Sequence, residues 1–344
     1  MASVMKTVVV GCGGMAREWV KHALAADTIK IVGLVDLSRD AAVAMAERFE
    51  LPISLVYGSL GEAIDATGAD AVFDVTVPAA HDRVTIEALE RGCHVLGEKP
   101  MSDDLAKAQR MVAAAEKARR VYAVTQTRRP LSGFKSIQKF VAEGGLGGIS
   151  ELHSDFYIGA HFGGFRDAMA HPLVLDMAIH TFDNARQISG TDPLSVYCHA
   201  WNPSHSWYEG AACTAAIFEM TGGVVYTYRG SWCNEGCATT WEADWRVVGP
   251  KGTLRWDGAD AMSCEVLKPG QNEGFIREYD AVDVPRVELE YEYHEYLIRQ
   301  FADHILSDRA TSLECPCADN IKSLAMVLAA VESAESGRKV DVVW

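Results

Sequence analysis

Through the first third of the chain, short apolar runs at Thr7–Val10, Ile29–Val35, Ala71–Val75, His94–Leu96 and Val121–Val124 are bounded by Gly, Asp or Pro. Between them apolar positions recur with helical spacing, at Arg39–Phe49, Arg83–Arg91 and Leu105–Ala118. Apolar strands alternating with such helices predict βαβ units around a parallel sheet buried on both faces. Near Gln126 the pattern changes. A helix over Phe134–Glu143 precedes strand-like segments at Ser150–Ile158, Ala212–Met220, Val224–Trp232, Trp241–Val248 and Thr253–Trp256. Turns at Thr221-Gly222-Gly223 and Gly249-Pro250-Lys251-Gly252 join several of them as antiparallel neighbours would be joined. Helical patterns return at Glu288–Leu306 and Asp319–Ser336. The reading is an α/β protein of two domains, 1–125 and 126–344, with no flexible linker between them.

Composition narrows the function. At 344 residues, 49% hydrophobic and 23% charged, the chain has the balance of a globular protein with a sizeable core. A formal charge of -15 with no offsetting basic cluster argues against nucleic acid as a partner. It also disfavours a polyanionic substrate, unless one local basic pocket overcomes the distant field. No run approaches the roughly 20 apolar residues that span a bilayer, so no membrane partner is expected. Met1–Thr7 leads into a strand and lacks the features of a signal peptide. Nine irregularly spaced cysteines, one of them Cys12 inside a glycine turn, read as reduced thiols of a cytoplasmic protein. Neither Cys233-x-x-x-Cys237 nor Cys315-Pro316-Cys317 has zinc-site spacing, so no metal is assigned.

Gly11-Cys12-Gly13-Gly14-Met15-Ala16 fits G-x-G-x-x-A between a strand and a helix. Gly11 permits the tight turn, Gly13 lets backbone approach a pyrophosphate, and Ala16 allows close helix–strand packing. The helix N-terminus then favours the phosphates. Asp36 closes the second strand 20 positions after Ala16, where an acid hydrogen-bonds ribose hydroxyls. The expected ligand is therefore a dinucleotide, and the expected fold of the first domain is Rossmann. Asp36 would repel a ribose 2′-phosphate and favours NAD, whereas Arg39 could pair with that phosphate and keeps NADP open. Thr76 and Pro78 end another strand on the cofactor-facing edge. His81, at the start of the next helix, could contact either cofactor or backbone.

Glu98-Lys99-Pro100 follows the apolar run His94–Leu96, which places Lys99 at the C-terminal edge of the parallel sheet. Asp176 and His180, four apart, share one face of a helix. A neutral imidazole can take a hydroxyl proton near neutral pH. A carboxylate can bind a second hydroxyl, and an ammonium can stabilise a developing alkoxide. Either Lys99 or His180 could be the base. Glu98 reads as a cofactor or backbone contact. With Gly11–Ala16, Thr76-Val77-Pro78, His81, Asp183 and the ending Ala329–Gly337, these motifs resemble the Gfo/Idh/MocA oxidoreductases over nearly the whole chain. The resemblance implies an N-terminal Rossmann domain and a C-terminal α/β domain. The latter would bind substrate, and its open, mainly antiparallel sheet would join a homodimer or homotetramer.

The resulting expectation is NAD(P)-dependent hydride transfer to or from a secondary alcohol of a sugar, inositol or related polyol. Two alternatives remain: an enzyme that retains NAD and cleaves glycosides by transient oxidation, and a silent dinucleotide or sugar sensor. Arg129, Tyr157, His161 and Trp232 are the candidate substrate contacts, beside Asp176 and His180. Ala170-His171-Pro172-Leu173 stands where many sugar-active relatives have a glycine-rich helix entry. His171 there either stands near the substrate entrance or is a helix-entry residue bonded to backbone.

Overall fold

The structure, a computed structural model, describes residues 4–270 and 275–344, so Met1–Ser3 of the N-terminal stretch lie outside the described residues. In chain order the first elements are β1 (Met5–Val10), α1 (Ala16–Leu24), β2 (Ile29–Val35), α2 (Arg39–Arg48), β3 (Val56–Tyr57) and α3 (Leu60–Thr67). Next come β4 (Ala71–Asp74), α4 (Pro78–Glu90), β5 (His94–Gly97), α5 (Leu105–Ala118) and β6 (Tyr122–Val124). The chain continues with α6 (Ser132–Ala142), β7 (Glu151–Tyr157), a π-helical turn (Leu173–Ala178) and α7 (Ile179–Ser189). β8 (Pro193–Trp201), β9 (Cys213–Met220), β10 (Val225–Ser231), β11 (Asp244–Gly249), β12 (Gly252–Trp256), β13 (Met262–Leu267) and β14 (Tyr279–Val282) follow. α8 (Tyr293–Leu306), α9 (Cys317–Ser336) and β15 (Val340–Asp341) end it.

Two compact units result, and the division is not at one point in the chain. The first comprises residues up to Pro130 together with Glu290–Leu324 and Trp344; the second comprises Leu131–Leu289 and Ala325–Val343. The first unit therefore takes back a segment that the sequence reading gave to the C-terminal domain. The reason is apolar burial: Ile298, Phe301 and Ala302 of α8 join Trp19, Val20 and Phe73 in one buried core.

The first unit is a parallel six-stranded sheet in the order β3-β2-β1-β4-β5-β6. Its order reverses between β1 and β4, which opens a crevice at the carboxyl ends of the strands. Val8, Val9, Val72, Phe73 and Val95 are fully buried, as strands covered on both faces require. Three helices start on side-chain caps. Ser38 Oγ accepts from Ala41 N at 3.3 Å, Ser59 Oγ from Glu62 N at 3.2 Å, and Asp104 Oδ1 from Lys107 N at 2.9 Å. α4 begins at Pro78 rather than Arg83, because Pro78 fits the first helical turn, where its missing N–H costs nothing.

The second unit is a mixed nine-stranded sheet, β14-β13-β12-β11-β7-β10-β9-β8-β15. Only β7 and β10 pair in parallel; the other pairs among the described residues are antiparallel. α6 and α7 cover one face. Phe134 packs edge-on against Trp245 and Trp256, and Phe182 against Phe218, Tyr226 and Tyr228. Strand alternation turns the other positions, such as His153, Asp155, Arg229 and Arg246, to the open face. β8, β13 and β14 were not anticipated, since polar residues on that open face interrupt their apolar runs. Among the described residues no helix is long and apolar enough to cross a membrane. No group of three or more metal-ligating side chains occurs among them either.

Candidate active site

The glycine turn lies at the carboxyl end of β1. Gly11 has φ +89°, and a Cβ there would lie 2.5 Å from the Val75 carbonyl oxygen, so only glycine is accommodated. At Gly13 and Gly14 nothing lies within 4 Å of where a Cβ would be, which leaves bare backbone open to a ligand. Ala16 is fully buried at the start of α1, and Met15 beside it is 49% exposed. Asp36, just past β2, closes the turn from the side. Its Oδ2 accepts from Cys12 N at 2.7 Å and its Oδ1 from Ser38 N at 2.8 Å. Each carboxylate oxygen keeps acceptor capacity for a hydroxyl. Burial, and then the Asp36 charge, push the Cys12 thiol up to about 12, so it stays neutral inside the loop. Arg39 is exposed at the first position of α2. This cradle, with open backbone at the phosphate position and a fixed acid at the ribose position, fits a dinucleotide.

The next strand end is wired internally. Thr76 Oγ1 donates to Asp74 Oδ1 at 2.6 Å, and burial raises the Asp74 carboxyl against the nearby His81 and its hydrogen bonds. His81 is 2% exposed, with Nδ1 at 3.0 Å from the Pro100 oxygen and Nε2 at 3.1 Å from the Thr76 oxygen. Of its two readings, the backbone one is what the geometry shows: both ring nitrogens meet carbonyl oxygens and neither is left for a cofactor. Pro78 opens α4 directly after this strand end.

Lys99 follows β5, and Glu98 sets the backbone that presents it. Glu98 Oε2 accepts from Lys99 N at 3.0 Å, while Oε1 accepts from Trp19 Nε1 at 2.8 Å and lies 3.0 Å from His294 Nε2. Burial raises this carboxyl, but the His294 hydrogen bond and charge, with Trp19 and Lys99, outweigh it and hold the group below its usual range. Glu98 is thus a pin for the strand end, through its contact with the Lys99 backbone. Trp19 and His294 could not be found from sequence, being 79 and 196 positions from Glu98. Arg129 also has a partner within this unit, Asp319 at 2.7 Å, with its side chain 9% exposed.

In the second unit Asp176 stands in the π-helical turn and His180 in the first turn of α7. Wide turns of this kind recur at functional sites. His180 is 7% exposed. The Asp176 carboxylate accepts from Arg166 Nε at 2.6 Å, a partner sequence reasoning missed. Its one signal is an arginine that follows Phe162 and Phe165 in the strap 158–172 that leads to the Asp176 turn. Asp183 is buried, 3.9 Å from Arg186, in keeping with a structural role.

Trp232 lies on the same covered face, 1% exposed, between Tyr208 at 5.9 Å and Phe162 at 5.4 Å. His161 stacks on Trp207 at 3.7 Å and pairs with Glu235 at 2.9 Å. Tyr157 is different. Phe156 points to the covered face, so the pleat turns Tyr157 to the opposite one with Asp155, and the strand does not bring it to the Asp176 side. The His171 side chain makes no bond to backbone among the described residues; its Nε2 lies 3.3 Å from Glu335.

A switch-point parallel sheet with a glycine cradle and a terminal acid defines a dinucleotide-binding protein. The chain belongs to the Gfo/Idh/MocA family: residues 5–126 match its NAD-binding Rossmann fold and residues 134–255 its C-terminal domain. Among similar proteins is the 1,5-anhydro-D-fructose reductase of Ensifer adhaerens, 28% identical, covering 71% of this chain and 73% of that one. The inositol 2-dehydrogenase of Streptomyces avermitilis is 30% identical over 65% of each chain. In fold, the chain is similar to an Agrobacterium radiobacter oxidoreductase solved with NAD+, L-tartaric acid and magnesium, with TM-score 0.85, 20% identity and 99% of both chains covered.

Proposed function

We propose that this oxidoreductase oxidises a secondary alcohol of a sugar, inositol or related polyol, reversibly, with NAD as the preferred cofactor. The observation that carries the reading is the pinning of Lys99 at the carboxyl end of β5 by Glu98, in a unit that also builds the glycine cradle. NAD, when bound, accepts the hydride. The residues of this chain do the remaining work. His180 takes the hydroxyl proton, as a neutral imidazole can. Lys99, held at the end of β5, supplies an ammonium that can stabilise a developing alkoxide. Asp176 accepts a hydrogen bond from a neighbouring hydroxyl and so orients the substrate. The named activities of the anhydrofructose reductase and inositol dehydrogenase support this substrate class.

The test is a panel of polyols, sugars and glycosides with NAD and NADP, followed by absorbance of the reduced cofactor. Net NADH accumulation with a polyol is expected. Glycoside cleavage without it would replace the reading by the redox-neutral one, and binding without turnover by the sensor.

We also infer that the protein is a homodimer or homotetramer joined through the open sheet face. Tyr197, Trp201 and Ile217 are 48%, 42% and 51% exposed there, in strands that pair with each other. A monomer in sedimentation at micromolar concentration would sink that inference.

A further inference from the structure

Arg166 does more than its bond to Asp176 requires. A single N–H, Nε, holds the Asp176 carboxylate. Among the described residues the Nη1 and Nη2 donors have no acceptor. Those two nitrogens form the end of the guanidinium fork, whose geometry matches a carboxylate bidentately. The side chain is 32% exposed, so a ligand can reach it.

The surroundings fix that fork and leave it without competitors. The guanidinium carbon lies 5.0 Å from the Phe162 ring centre and 4.7 Å from that of Phe165. These rings are 47% and 69% exposed, an apolar collar kept at the surface around a cation. Less polar surroundings strengthen the pull of the cation on an anion. Phe162 in turn lies against Trp232, whose buried indole Nε1 has no acceptor among the described residues. A buried donor without an acceptor is costly, and a ligand oxygen would relieve it. The strap itself is tied down. Glu209 N donates to the Asp167 oxygen and Ala211 N to the Ala170 oxygen, each at 2.8 Å, while Tyr208 Oη donates to the Ala160 oxygen at 2.6 Å.

We propose that the substrate is a sugar acid, an aldonate, uronate or aldarate, whose carboxylate is held by Arg166. The proposal rests on the oxidoreductase reading above and specifies its substrate class. Arg166 spans the two groups it would sort: the ligand carboxylate at its Nη end, and Asp176, acceptor for a nearby hydroxyl, at its Nε side. With Asp176 already paired at Nε, the two remaining donors suit a planar, singly charged carboxylate better than a phosphate dianion. The carboxylate is unchanged by the reaction; the alcohol carbon loses a hydride to NAD and its oxygen a proton to the base.

The experiment compares D-gluconate with D-glucitol, D-glucuronate with D-glucose, and galactarate with galactitol, on the full chain with NAD bound. Calorimetric binding and NADH formation are read for each pair. The acids are expected to bind at least about 10-fold tighter than their neutral partners. Arg166→Gln should lower kcat/KM for the acid by about 10²-fold, chiefly through KM, with partial recovery in Arg166→Lys. Equal loss for both members of a pair would mean that Arg166 serves only to hold Asp176, and would overturn the proposal. So would preference for the neutral partners, preference for D-glucose 6-phosphate, or no binding of any acid by a folded wild type. Tight Arg166-dependent acid binding without NADH would instead retain the site and refute the dehydrogenase reading.

Discussion

The glycine turn of the first unit and the Arg166 strap of the second both hold polar groups ready for a ligand, by opposite means. The turn offers backbone: Gly13 and Gly14 expose it, and Asp36 fixes it through the Cys12 amide. The strap offers side chains, with Arg166 collared by two phenylalanines and bonded to Asp176 in the wide turn. Backbone recognition suits a ligand part common to many enzymes, since it depends on φ, ψ and the absence of side chains. Side-chain recognition can be altered one residue at a time without rebuilding the sheet. The cofactor half of the molecule is therefore generic and the substrate half individual.

The sharpest way to break this contrast is His180→Ala. Loss of the proposed base should lower turnover by about 10²–10⁴-fold and leave NAD affinity nearly unchanged, because the dinucleotide cradle is built in the other unit. Wild-type turnover on a verified substrate would exclude histidine and pass the role to Lys99. A smaller effect is expected at Asp36. Asp36→Ala should erode the preference for NAD over NADP by about 10-fold, the scale of one lost charged hydrogen bond. Titration with both cofactors measures it; tighter NADP binding by the wild type would put Arg39 in control.

The smallest expected effect concerns stability and sharpens the first unit alone. Val121 N donates to His94 Nδ1 at 2.9 Å, and burial, with Arg120 and Arg309 nearby, lowers this imidazole to about 4. The unfolded chain takes up the proton first, at its ordinary 6.5, so stability falls as pH drops from 6.5 towards 4 and this loss levels off below. His94→Asn, which keeps an acceptor for Val121, should remove up to one proton's slope, about 1.4 kcal/mol per pH unit. Denaturant midpoints across that range check it. Parallel curves for the two proteins would show that His94 does not titrate on unfolding.

Much of the first unit was legible because its signals are local. The glycine turn, β2 and Asp36 lie within one βαβ unit, where strand, turn and helix are fixed by neighbours in sequence. β3 escaped notice because two residues carry no period. The second unit was harder, since a sheet with one open face lets polar residues interrupt apolar runs, as in β8. Side-chain direction was harder still. Tyr157 and Trp232 both read as strand-end aromatics, and only the pleat and register separate the open face from the covered one. Asp176 and His180 were visible as a helical pair, but Arg166 was hidden in a strap without periodicity.

The return of α8 to the first unit has a temporal meaning. The parallel sheet is encoded before residue 125, yet Ile298, Phe301 and Ala302 complete its core, and His294 completes the Glu98 pin behind Lys99. On a ribosome, where chains commonly fold N-terminal domain first, this unit must wait for nearly the whole of the second to be made. The newborn sheet spends that interval with an apolar flank uncovered, and it reaches its final form only when a late helix arrives.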